Sequence, residues 1–170
     1  VHNSEKAAGI QLSGVDYFYP QVADETPQLV TYTLTANTAA DWTVVSQGRF
    51  DRHSNNKKSA TASVTWVANE PQEEIFLIAD RFEKYETTHG AVQLYAFLRS
   101  KDPDLANQYL KAAGDYIDFY EKLLSPYPYA KFALVENARQ TGYGMPSFTL
   151  LGSQVIRLPF ILHSSYPHEI

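Results

Sequence analysis

The stretch Ser100-Lys-Asp-Pro-Asp-Leu105 divides this sequence into two kinds of chain. Asp102 can accept the orphan N–H groups at a helix start, Pro103 suits the first helical position, and Asp104 favours the positive end of the helix dipole. Leu105, Tyr109, Ala113, Tyr116, Ile117, Tyr120 and Leu124 follow at spacings of three and four, which marks one apolar face. Ser125-Pro126 ends the pattern. A helix is therefore expected from about residue 103 onward.

Upstream of that boundary the periodicity is two. Val30-Thr-Tyr-Thr-Leu-Thr-Ala36 alternates apolar residues with threonine, as a half-buried strand does. Ala39 to Ser46 continues as turn and strand, Gln47-Gly48 turns the chain, and Ser54-Asn-Asn-Lys-Lys58 reads as a hairpin loop. Ala62-Ser-Val-Thr-Trp-Val67 alternates again, with Trp66 on the face of Val64. Ile75 to Ala79 is a continuous apolar run, consistent with a strand buried on both faces. Arg81 to Thr88 and Ala91 to Arg99 complete a β-rich first hundred residues. Tyr17, Phe18 and Tyr19 form an aromatic cluster near the start, expected to pack into the core.

These patterns predict an α+β fold in two parts, a β-rich region over 1–100 and a helix-containing region over 101–170. In the second part, Lys131-Phe-Ala-Leu-Val-Glu136 and Phe148 to Leu151 read as strands. The Gly142-Tyr-Gly-Met145 turn leads into the latter.

Composition narrows the function. Apolar residues make up 44% of the chain and aromatic residues 14%, which fits a folded protein. A net charge of −5 and the lack of any basic stripe argue against nucleic acid as a partner. The absence of cysteine excludes disulfides and thiolate metal ligands and leaves the compartment undetermined. No run approaches the roughly 20 apolar residues that a spanning helix needs. His53 and His89 stand alone beside turn residues, and Glu83, Glu86, Asp115, Asp118 and Glu121 read as solvated surface rather than paired acid–base groups.

The chemistry lies at the end of the chain. His168-Glu169 follows Pro167, and in an H-E-x-x-H helix two histidines share one face while the intervening glutamate can activate a metal-bound water. The second histidine would fall beyond Ile170. As a dipeptide the signal is weak, and its context carries it: a Gly-x-Gly-Met edge strand just upstream would offer backbone groups to an extended peptide. His163 precedes His168 by too much to share its helical face and is read as a packing or supporting residue.

In sequence, Pro126-Tyr-Pro-Tyr, Phe132-Ala-Leu-Val-Glu-Asn137, Thr141-Gly-Tyr-Gly-Met-Pro-Ser147 and His163-Ser-Ser-Tyr-Pro-His-Glu-Ile170 together resemble the aminopeptidase-N-like zinc metallopeptidases of the gluzincin clan, in particular a bacterial branch. Leu12 to Pro20 and Trp42 to Ser46 look like the end of the saddle-shaped β domain that precedes the catalytic domain in that family. The resemblance implies the order of a thermolysin-like catalytic domain after the β domain. It implies that His168 is the first zinc ligand, Glu169 the general base, and Gly142, Tyr143, Gly144 and Met145 a strand that binds peptide substrate. Family members usually carry Gly-x-Met-Glu-Asn, whereas Pro146 and Ser147 stand at the last two positions here, so strict aminopeptidase specificity does not carry over.

On this reading the chain is an N-terminal piece of a zinc peptidase that stops inside H-E-x-x-H. One imidazole holds zinc poorly, so the piece is expected to bind none stably and to be inactive by itself. Uncovered apolar faces would favour self-association. The alternative is a non-catalytic β-rich binding or assembly module.

Overall fold

Alternating residues in the first half fold into strands that pack against a second, two-sided sheet carrying the helix. The computed structural model describes residues 9–21, 28–56 and 59–158. In chain order the strands are β1 (Ile10–Leu12), β2 (Val30–Ala39), β3 (Thr43–Val45), β4 (Arg49–Asn56), β5 (Thr61–Gln72), β6 (Leu77–Asp80), β7 (Glu83–His89) and β8 (Val92–Leu98). Helix α1 (Pro103–Leu123) follows, then β9 (Lys131–Asn137), β10 (Gly142–Met145) and β11 (Phe148–Gly152).

Three sheets result. Strands β2, β5 and β4 form an antiparallel sheet around β5, and β1, β6 and β3 form a second antiparallel sheet around β6. The third is mixed, in the order β10-β11-β9-β8-β7. Within it β9 runs parallel to both β8 and β11, while the outer strands β7 and β10 are antiparallel to their neighbours. The sheet that carries α1 thus begins at Glu83, ahead of the change of periodicity at Ser100.

The central strands β8, β9 and β11 of the mixed sheet are buried on both faces and so read as nearly unbroken apolar runs. Leu94, Ala96 and Leu98 of β8, Leu134 of β9 and Leu151 of β11 pack against Leu105, Ala106, Tyr109, Leu110 and Ile117 of α1. The alternate residues Tyr95, Phe97, Ala133, Val135, Phe148 and Leu150 pack against Val44, Val45, Val64, Trp66, Ile78 and Ala79 from the two smaller sheets. Trp66 and Val64 share a face as expected, and the Trp66 indole N–H donates to Val44 O at 2.9 Å.

The helix begins where its caps place it. Asp102 Oδ1 accepts from Leu105 N at 3.1 Å with Pro103 at the first turn, a cap that stabilises by about 1 kcal/mol. Its apolar face is covered only in part: Tyr120 is 43% and Leu124 74% exposed.

Three local expectations shift. The β4–β5 connection comes later than residues 54–58, because β4 runs to Asn56 as an exposed polar strand paired with β5. The Ile75–Ala79 run is a strand only from Leu77, since Ile75 N and Phe76 N are satisfied by Tyr19 Oη and Gln47 Oε1 instead of a sheet partner. Of the aromatic cluster, Tyr17 is 81% exposed and sits in a left-handed conformation after a short 3-10 turn, while Phe18 and Tyr19 meet edge to face.

Candidate functional site

Strand β10 is the free edge of the mixed sheet. It pairs with β11 from Gly142↔Leu151 to Met145↔Phe148, and no strand among the described residues lies on its other side. Gly152 N donates to Thr141 O at 2.7 Å. The alternation of an antiparallel ladder then turns the backbone groups of Tyr143 and Met145 toward β11 and leaves those of Gly142 and Gly144 directed away from the sheet. Both glycines are exposed. An added Cβ at Gly144 would meet nothing within 4 Å, and at Gly142 only a Leu151 methyl at 3.7 Å. Among the described residues no strand pairs with the outward donors and acceptors of Gly142 and Gly144, which is what strand addition by an extended chain requires.

The two faces of β10 differ. Met145 packs against the cluster that contains Phe148 and Leu150. Gly142 faces Leu151, on the side of α1. On that side lies an apolar cavity of about 330 Å³, lined by Tyr109, Ile117, Tyr120, Phe132 and Leu151 among others.

A tight turn, Pro146-Ser147, closes the β10–β11 hairpin. Ser147 has φ 68°, a conformation that costs a residue other than glycine about 1–3 kcal/mol unless its surroundings fix it. They do so here. Ser147 O accepts from Ala133 N at 3.1 Å and from Lys131 Nζ at 3.1 Å. Ser147 Oγ accepts from Lys131 Nζ at 2.9 Å and from Gly48 N at 3.2 Å. Lys131 is wholly buried, its Nζ 5.1 Å from the centre of the Trp66 ring and 5.2 Å from that of Phe148. Burial holds its pKa well below the usual lysine range.

Sequence reasoning took Lys131 only as the first letter of a strand. The signal that could have found it is a lysine opening an otherwise apolar run, since a buried lysine needs partners.

Glu136, at the other end of β9, is also buried. It is gripped by both terminal nitrogens of Arg157 and accepts from Arg99 N at 2.8 Å. Arg99 Nε in turn reaches Asp80 at 2.8 Å, joining the mixed sheet to β6. His89 is no free surface histidine: its Nε2 lies 2.7 Å from Asp118 Oδ1, and its ring rests on Gly114 of α1. Of the other surface carboxylates, Glu86 pairs with Lys84, Asp115 with Lys111, and Glu121 accepts from Tyr127 N.

The structure brings Gly142, Tyr143, Gly144 and Met145 together as that edge. His163, His168 and Glu169 lie outside the described residues. Among the described residues no group of three His, Asp or Glu side chains converges as a cation would require. No described helix is long and apolar enough to cross a membrane.

No protein-family profile and no curated relative matches the chain. Solved structures do. A point mutant of a two-domain M1 zinc metallopeptidase, bound to L-arginine, superposes with a TM-score of 0.63 at 14% identity, over 88% of this chain and 36% of its own. The fold is that of part of an M1 zinc metallopeptidase. The M1 zinc metallopeptidase from Deinococcus radiodurans gives a TM-score of 0.58 at 14% identity, over 79% of this chain and 32% of its own. A mutant of that enzyme gives 0.55 at 13% identity, over 74% and 31%. The chain thus spans about a third of the length of these M1 metallopeptidases. Its M1-like fold agrees with the α+β class read from the sequence.

Proposed function

We propose that this chain is part of a zinc-dependent peptidase of the aminopeptidase-N-like family, and that β10 is the edge on which its peptide substrate lies. The observation that carries the reading is the match of this fold, over most of its length, to M1 zinc metallopeptidases. It is supported by the geometry of β10, in which the two residues whose backbone groups point away from β11 are both glycines. A peptide added there gains main-chain hydrogen bonds from Gly142 and Gly144 independent of its side chains. Tyr143, 52% exposed, stands beside the bound backbone.

In this reading β1 to β6 belong to the preceding β domain and β7 onward to the catalytic domain, with the boundary near Arg81. His168 supplies the first histidine ligand and Glu169 the base. Pro146 and Ser147 offer no carboxylate for a free amino group, so the edge takes a peptide by its backbone rather than by its terminus.

The test is a titration of the nitrogen-15-labelled chain with a pentapeptide blocked at both ends. Binding on β10 shifts the amides of Gly142 and Gly144 more than those of the central strand β8. Shifts spread over the surface, or none at millimolar peptide, would remove β10 from the substrate site.

A further inference from the structure

We propose that Lys131 is the positioning residue of edge strand β10, acting through Ser147: the buried amine holds the serine in its left-handed conformation and so fixes where Gly142 and Gly144 present their backbone groups. That this matters for peptide capture rests on the reading of β10 as the substrate edge.

The argument begins with the turn. Proline followed by a residue of positive φ is the pattern of a type II turn, whose twist does not match that of the strands it joins. Glycine would adopt this φ freely, whereas serine needs an external hold. Four hydrogen bonds converge on its two oxygens. Two come from Lys131 Nζ, one from Ala133 N and one from Gly48 N.

The two backbone donors are fixed by their own elements. Ala133 lies within β9, and Gly48 has φ 77° and sits so close to Val67 O that a Cβ would lie 2.2 Å from it. Lys131 is the one side chain among these donors, and its place is costly. It is buried between Trp66 and Phe148, with no ion pair to a carboxylate among the described residues. A leucine or methionine would fill the same space without that desolvation. What an amine adds is donation to Ser147. Because Met145 pairs directly with Phe148 across the turn, the conformation of Ser147 sets the angle at which β10 leaves the sheet.

Met145 is the only methionine in the chain, so a carbon-13 label in methionine methyl groups gives a single resonance at the end of β10. Lys131→Leu is expected to move that resonance and to speed exchange of the β11-facing amides of Tyr143 and Met145 by about tenfold, with Val92–Leu98 unchanged. Adding Ser147→Gly to the same chain is expected to return exchange to within about threefold of the parent, because glycine holds the turn unaided. A packing role for Lys131 would not be rescued in this way.

An unmoved Met145 resonance in Lys131→Leu, or a moved one that Ser147→Gly fails to rescue, overturns the proposal. If Lys131→Leu does not fold, Ser147→Ala decides, since it keeps the amine and removes its hydroxyl acceptor. A displaced Met145 methyl then supports the proposal and an undisturbed one overturns it. The readout needs no peptide, so it is decided whether or not the titration with blocked pentapeptide succeeds.

Discussion

Glu136 and Arg157 show what single residues contribute at the seam between β9 and the turn after β11. The Glu136 carboxylate is buried, and Arg157, about a third exposed, supplies two of its hydrogen bonds. Removing one partner of a buried pair strands the other's charge. Arg157→Ala is therefore expected to destabilise the fold by about 3 kcal/mol, measured by urea denaturation. Replacing Glu136 and Arg157 together with methionine should recover most of that loss. Four tyrosines, Tyr95 and Tyr109 buried and Tyr32 and Tyr127 half-buried, give the fold a further signature. Burial raises Tyr32, Tyr95 and Tyr109 to about 12 and pushes Tyr127 up as well. Each keeps its proton longer folded than unfolded, so their stabilising contribution is complete below pH 10 and is lost as pH rises toward 12. Thermal melts between pH 9 and about 12 should show stability falling across that window, with tyrosinate absorbance lagging behind that of the urea-unfolded chain.

Elements were legible in proportion to how locally they are determined. Helix α1 was readable to its first residue because Asp102, Pro103 and the apolar spacing all act within a turn or two. Strands β2, β5, β8 and β9 were readable because one or both faces are buried and the pattern records it. The end of β4 was not, since an exposed strand of Ser54, Asn55 and Asn56 has the composition of a loop and exists only because β5 pairs with it. Lys131 escaped for the same reason, as its partner Ser147 is brought near by the β9–β11 pairing. The glycines of β10 could be seen, but not that both would fall on outward positions of the ladder, which follows from register. Register also yields a prediction for the element. Gly144→Pro removes an N–H that the ladder does not use, so it should cost less than about 1 kcal/mol while abolishing the peptide-induced shifts at β10. A fold lost outright would show that this N–H faces β11 after all.

At the scale of the whole molecule, the mixed sheet has one face closed by the smaller sheets and one half-closed by α1. Tyr120 and Leu124 extend the helix stripe over the open cavity beyond it. The M1-like fold covers about a third of the matched enzymes, and on the proposed reading His168 would be one of the several ligands that a zinc peptidase site needs. A sample of these 170 residues, dialysed with zinc, is expected to retain well under one equivalent by elemental analysis. Stoichiometric zinc would mean that ligands come from other histidines and carboxylates or from a second copy.

The central place of β9 has a kinetic consequence. Both of its neighbours run parallel to it, and each ladder joins segments well separated along the chain, Gln93 with Lys131 and Ala133 with Phe148. No hairpin closure can nucleate it. The β7–β8 and β10–β11 hairpins and helix α1 can form by local contacts, whereas β9 must be inserted between two strands already in place. Pulse-labelled exchange during refolding should find the amides of Phe132–Val135 protected last, making the central strand of the sheet the final one to arrive.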